Sequence, residues 1–193
     1  AHLHGVQGVG SSNLLAPTNS FEGLRRWRNP FCFPGGTPAI AKSRRLAFAM
    51  TQLRIPAVYM RGGTSKGVFF KDADLPTDPK ERERVLLRTI GSPDPYGKQI
   101  DGMGAATSST SKIVILKKSD RAGFDVDYLF GQVSIDKAYI DWSGNCGNLT
   151  SAVGPFAVSE GLVAAPKDGI ATVRIWQANI GKGVTVLVKG SRF

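Results

Sequence analysis

The chain has 193 residues, 41% of them hydrophobic and 21% charged, with two cysteines, two histidines and a formal charge of +10. This is the composition of a globular domain with a real core. No apolar run nears the ~18–20 residues that cross a bilayer, and two cysteines are too few for a disulfide framework, so a reducing cytoplasm and no membrane partner are expected. The charge does not point to nucleic acid either: residues 1–49 carry six basic residues against one acid, and the rest, 19 against 14, interleave no basic run with aromatics.

Residues 1–49 are rich in Gly, Pro, Ser and Arg and sustain neither a period of 2 nor one of 3.6. Pro17, Pro30, Pro34 and Pro38 argue against the amphipathic helix of a transit peptide. The string "GVGSSNLLAPTN" resembles an accidental translation of a transfer-RNA gene, and Met50 is the first methionine. We therefore expect 1–49 to be a non-native or disordered leader in which His2, His4 and Cys32 carry no chemistry. The domain proper is expected at 50–193.

From Leu53 onward the pattern is one of short strands and turns. "LRIPAVYM" predicts a strand, with Pro56 marking an edge; "RGGTSKG" predicts a turn, and "VFF" a resumed strand. "DPKERERVLLRTIG" predicts a helix with Asp78 as N-cap, Pro79 in its first position and Gly91 as its stop. "SPDPYGKQIDGMGAATSST" predicts a long polar loop of the kind that usually serves function or is disordered. Strands are expected at "KIVILKK", "FDVDYLFGQVSI", "KAYIDWS", "IATVRIWQ" and "GVTVLVKG". The helix predicted at "LTSAVGPFAVSEGL" is apolar or small on nearly every side, so it should be wrapped by strands and kinked at Gly154-Pro155. Together these elements predict an α+β domain whose mostly antiparallel sheet wraps a central helix. The chain stops at Phe193 straight after a strand, which reads as a truncation.

Three Gly/Ser-rich turns stand out: "RGGTSKG" (61–67), "GMGAATSSTSK" (102–112) and "SGNCGN" (143–148). Each can present consecutive backbone N–H groups and hydroxyls, the means by which proteins hold carboxylates and phosphates with few charges. None meets the phosphate-loop pattern. The first lacks the Gly-Lys-Ser/Thr ending, and the second runs into a strand where a helix is required. Three such turns in one small domain predict a small-anion site.

Cys146 sits in the third turn, at the start of the apolar helix. Unpaired amides and the helix dipole favour a thiolate there. The plainer alternative is a small buried residue closing a tight turn. Lys112 opens the strand "KIVIL" directly behind the hydroxyl residues 108–111, where it could serve as an ion partner or a proton carrier. Its plainer alternative is a solvent-facing lysine at a strand end. No histidine follows His4, which excludes Ser-His and Cys-His pairs in the patterned region, and no acidic or Cys/His cluster has metal-ligand spacing.

Five blocks, "YMRGGTSKGVFF", "IGSPDPYGKQIDGMGAATSSTSK", "DYLFGQVSID", "DWSGNCGNLTSAVGPFA" and "VRIWQANIGK", resemble in content and order the PrpF family of 2-methylaconitate cis-trans isomerases. The match runs from about residue 53 to 182, and the family's relatives include 4-oxalomesaconate tautomerase and methylitaconate isomerase. The resemblance implies the diaminopimelate epimerase-like fold, two similar α+β domains with the active site in the cleft between them. This chain would be the first of the two, incomplete, with the second absent and little activity of its own. It further implies a cofactor-free isomerase of an unsaturated tricarboxylate in the methylcitrate cycle of propionate breakdown. An aconitase-like iron–sulfur dehydratase is the implied partner; a homodimer and a non-catalytic accessory role stay open. By motif, Lys112 matches the family's catalytic lysine and Cys146 the cysteine across the site. Ser65, Ser109, Thr110, Asn145, Gly147 and Asn148 lie in the matching substrate-carboxylate loops.

Overall fold

Alternating apolar residues build the strands, and the computed structural model, which describes residues 53–164, 166 and 169–189, joins them into one sheet. The elements in order are β1 (Val58–Gly62), β2 (Ser65–Lys71), a short 3-10 turn (Asp72–Asp74), α1 (Pro79–Ile90), β3 (Lys112–Lys118), β4 (Val126–Val133), β5 (Ile140–Asp141), α2 (Gly147–Ser159), β6 (Ile170–Gln177) and β7 (Lys182–Lys189). The leader expected at 1–49 lies outside the described residues.

The strand order is β1-β2-β3-β4-β6-β7, with β5 pairing β4 off that path. Four pairings are antiparallel, but β2–β3 and β4–β6 are parallel, so the sheet is mixed. The two parallel pairings arise where a helix-bearing connection returns the chain in the same direction, α1 after β2 and α2 between β5 and β6. The domain is thus α+β, as expected, with two helices on a curled sheet.

Each face of the sheet has its own core, as the two-residue period of a strand dictates. Phe69, Val114, Leu116, Tyr128, Phe130, Val173 and Ile175 point to one side and pack on Leu149, Val153, Phe156 and Ala157 of α2. Val68, Phe70, Ile113, Ile115 and Val133 point to the other and meet Leu86, Leu87 and Ile90 of α1. That is why "VFF" and "KIVIL" read as continuous apolar runs: both of their faces are covered. Helix α2 touches both edge strands, β1 and β7. Gly154 lets β7 come close, since a Cβ there would lie 2.8 Å from Val188 Cγ2.

Several expectations need correction. Helix α2 is not fully wrapped: Asn148, Ser151, Pro155 and Ser159 form an exposed stripe along it. This stripe is polar apart from the proline, whose missing N–H costs least where the freed carbonyl can meet water. The helix also begins at Gly147, two residues earlier than its apolar period suggests, and ends at Ser159. The turn expected over 61–67 shrinks to Gly63-Thr64, because Gly62 pairs with Ser65 and Arg61 with Lys66 in a β1–β2 hairpin. Residues 53–57 are not strand, and "KAYIDWS" supplies only the two-residue β5.

Candidate functional site

The hairpin, the hydroxyl loop and the start of α2 converge at one end of the sheet, on its α2-facing side. The β1–β2 turn is small because Gly63 takes the left-handed conformation, φ 51°. Gly62 has no room for a side chain: a Cβ would run into the Asn148 carbonyl and approach Leu149 Cα to 2.9 Å. Asn148 Nδ2 also donates to Thr64 Oγ1 at 3.1 Å, so the turn is tied to the first turn of α2. The hydroxyl loop joins through Lys66 N, which donates to the Ser109 carbonyl at 2.9 Å.

Lys112 follows that loop as the first residue of β3 and is only 8% exposed. Strand parity sets it on the same side as Val114 and Leu116, towards α2. Its Nζ donates to Gln132 Oε1 at 2.6 Å and lies 5.0 Å from the centroid of the Phe130 ring. The solvent-facing alternative for this lysine is therefore not what the fold builds. Gly67, its neighbour on β2, keeps the approach close: a Cβ there would come 2.9 Å from Leu149 Cδ1 and 3.4 Å from Lys112 Cβ.

Cys146 is the N-cap of α2, with extended backbone and no side-chain capping bond. The helix therefore starts with its first amides uncapped by any side chain, the arrangement that attracts an anion. The cysteine is 8% exposed and packs in the core, and its thiol donates to Ser65 Oγ at 3.7 Å. Cys146 thus closes a tight turn from a buried position and also stands at an uncapped helix start. Its carbonyl is gripped by Thr150, through N at 3.1 Å and Oγ1 at 3.0 Å, and by the Tyr128 hydroxyl at 3.4 Å. Burial, and then the neighbouring Cys146, push the Tyr128 hydroxyl above its ordinary range, which keeps it a donor.

Not every expected site residue is equally placed. Ser65 is buried beside the thiol. Ser109 and Thr110 turn their hydroxyls inward to Thr107 Oγ1, at 3.0 and 2.8 Å, so the loop first satisfies itself. Asn145 is exposed beside the cysteine, and a Cβ at Gly147 would meet nothing within 4 Å, so space lies open before the helix. Asn148 acts on the hairpin rather than facing an open pocket.

Three residues escaped the sequence reading. Gln132 holds Lys112. Gln99, buried, accepts from Ala106 N and Ser111 Oγ at 2.9 Å each and donates to Ser92 Oγ at 3.0 Å, which shapes the hydroxyl loop from behind. Asn179 accepts from Phe130 N and donates to the carbonyls of Phe130 and Trp142, at 2.8, 2.8 and 2.6 Å. It thereby fixes the strand beside Lys112 and the loop that leads to Cys146. Amide residues in polar surroundings carry no periodic signal; only their position within the quoted blocks marked them. That loop is further set by Ser143, whose hydroxyl and N–H donate to Asp141 and hold its carboxyl below the usual range.

A cavity of about 840 Å3 lies elsewhere, lined by Leu53, Ile55, Phe70, Val85, Arg88 and Met103 among others on the α1 face. Of its charged residues, Arg88 and Asp101 are mutually paired at 3.6 Å and Arg84 pairs with Glu81 at 3.7 Å, and none of the converging groups reaches it. Size alone is a poor guide here, and the chemistry gathers on the other face. Among the described residues no group of three or more His, Cys, Asp or Glu is placed to hold a metal ion, and no helix is long and apolar enough to cross a membrane.

Comparison with known proteins supplies the relatives of this arrangement. A 2-methyl-aconitate isomerase of Cupriavidus necator is 68% identical over 140 residues, 69% of this chain and 35% of that protein. One of Shewanella oneidensis is 66% identical over the same shares. A 4-oxalomesaconate tautomerase of Pseudomonas putida is 53% identical over 134 residues, 69% of this chain and 36% of the relative. The crystal structure of a methylitaconate-delta-isomerase superposes with a TM-score of 0.69 at 47% identity, covering 72% of this chain and 35% of the other. The chain thus spans about a third of the length of the curated relatives it matches. The model of the PrpF protein family matches residues 52–191, continuously through the hairpin, the hydroxyl loop, Lys112 and Cys146, and the chain belongs to that family.

Proposed function

We propose that the family-length protein containing this region isomerises an unsaturated tricarboxylate, 2-methylaconitate in the first place, by moving an allylic proton. The observation that carries this reading is the placement of Lys112, buried and facing α2, at the end of the sheet where α2 begins uncapped beside Cys146. An amine and a set of uncapped amides at the same end of the sheet suit a carbanion whose charge flows into a carboxylate. Lys112 takes the proton from the carbon next to the double bond, and the electron pair delocalises towards a carboxylate held at the start of α2. The amides stabilise the enolate-like charge that develops there, the effect that usually dominates such catalysis. While the charge is delocalised, the former double bond turns; return of the proton from Lys112 leaves the other isomer. Cys146 and Ser65 line the same end, with Asn145 and Gly147 at the open approach and Ser109 and Thr110 on the flanking loop. The higher identity to 2-methyl-aconitate isomerases than to the oxalomesaconate tautomerase favours the former substrate.

In this reading the present region forms one wall of a diaminopimelate epimerase-like cleft, and the remaining length of the relatives supplies the other. This reading puts the reaction in the cytoplasm, because a chain with only two cysteines suits a reducing compartment. The test is solvent deuterium uptake into 2-methylaconitate, followed by NMR, with this chain beside a family-length form. Uptake by the longer form, abolished in Lys112→Met, is expected, with little uptake by the shorter chain. Undiminished exchange in folded Lys112→Met would remove the lysine from the mechanism.

A further inference from the structure

We propose that Gln132 is a positioning residue that aims the amine of Lys112, an inference that rests on reading Lys112 as the base. The two residues face each other directly in the antiparallel β3–β4 pairing, so their side chains rise from the same face of the sheet. Gln132 Oε1 accepts from Lys112 Nζ at 2.6 Å, and Gln132 Nε2 donates to the Ser111 carbonyl at 3.0 Å.

The second bond decides the first. A carbonyl oxygen can only accept, so the Ser111 carbonyl, which also receives Val133 N at 2.9 Å, demands the NH2 end of the amide. The glutamine cannot flip without setting one oxygen against another, and its own oxygen is thereby committed to Lys112. An oxygen fixed on one side of an amine draws an N–H of that amine towards itself. The Phe130 ring, 5.0 Å from Nζ and two residues along the same face of β4, occupies a second side. The lone pair of the uncharged amine is then turned away from β4, into the space that substrate would occupy. Asn179 completes the support by holding both backbone groups of Phe130. A lysine left with its four-carbon stem free would spread its lone pair over many directions. Orientation of this kind acts on turnover and leaves substrate binding alone.

Two measurements test the proposal. In a lysine-selective 15N–1H correlation of this chain, at mildly acidic pH and low temperature, the Lys112 ammonium signal is identified by its loss in Lys112→Met. It is expected in the wild type and to vanish by rapid exchange in Gln132→Met. In the family-length form, Gln132→Met should lower kcat by about tenfold to a hundredfold at unchanged KM and unchanged thermal midpoint. A Lys112 signal indifferent to Gln132→Met would overturn the clamp. A normal kcat in Gln132→Met, in a protein that Lys112→Met inactivates, would overturn the positioning role. If Lys112→Met itself stays active, the reading of Lys112 as base fails and the positioning role falls with it, whatever the signal shows. Should Gln132→Met not fold, the kinetics of Gln132→Glu decide: its carboxylate sets an oxygen against the Ser111 carbonyl, which releases the clamp, and holds the proton on the amine, so kcat must fall, and an unchanged kcat overturns the proposal.

Discussion

At the scale of single residues, the site is held by neutral side chains that each make several hydrogen bonds. Asn179 is the clearest case, with its amide joined to Phe130 N, the Phe130 and Trp142 carbonyls, and Gln177 Nε2. Asn179→Ala leaves those partly buried backbone groups without partners, and each such group costs about 1–3 kcal/mol. We expect a loss of about 2 kcal/mol or more in denaturant unfolding, a change far larger than an exposed turn residue would produce. A loss below about 0.5 kcal/mol would show that water replaces the amide at no cost. The same arithmetic explains why Gln99 is buried with a positive φ of 52°: its bonds to Ser92, Ala106 and Ser111 outweigh the strain of that backbone.

At the scale of elements, the parallel β4–β6 pairing is short, three residue pairs, and is extended by an ion pair. Asp125, just before β4, accepts from Arg174 Nε at 3.1 Å, from its Nη2 at 2.8 Å and from its backbone N at 2.7 Å. The Arg174 side chain first, and its backbone N–H as well, hold the Asp125 carboxyl below the ordinary carboxylate range against the opposing effect of burial. A carboxyl depressed on folding adds stability that is fully present above its unfolded pKa of about 4 and is lost as pH falls through the folded value. Asp125→Asn should therefore be less stable than the wild type at neutral pH. The gap should narrow steadily below about pH 4 and close in strong acid. Urea unfolding at neutral, mildly acidic and strongly acidic pH measures this, and a gap independent of pH would show that the bonds act without the charge. Helix α1 illustrates a simpler rule at this scale. Asp78 accepts from Glu81 N at 2.9 Å, and Gly91 stops the helix at φ 86°, as the sequence predicts.

At the scale of the described domain, β2, β3 and β4 belong to two cores at once. Val68 and Phe69, or Ile113 and Val114, are sequence neighbours on opposite faces, one under α1 and the other under α2. A change on either side must therefore be felt through the same three strands. Leu86→Ala and Leu149→Ala remove fully buried side chains from different faces, and each should cost about 2–5 kcal/mol. Both variants should still unfold in a single transition, with tryptophan fluorescence and far-ultraviolet dichroism coincident. Separate transitions in Leu86→Ala would mean that the two faces fold independently.

The sequence by itself determined what depends on neighbours in the chain. The capped and stopped helix α1, the bounds of β3 and β6 and the relationship to a family were all written in local pattern. So was the presence of a lysine behind hydroxyls and a cysteine at a helix start, two residues whose types limit the chemistry. Only the tertiary structure decided how these meet. The parallel β2–β3 pairing brings the hairpin beside the hydroxyl loop, and the β3–β4 register sets Gln132 across from Lys112. The open stripe on α2, the shortened turn at Gly63-Thr64 and the hold of Asn179 on two separate segments follow from the same pairings. The physical reason is that register and hydrogen-bond partnership join residues twenty to eighty positions apart, and no periodicity within a single segment encodes which of them will meet.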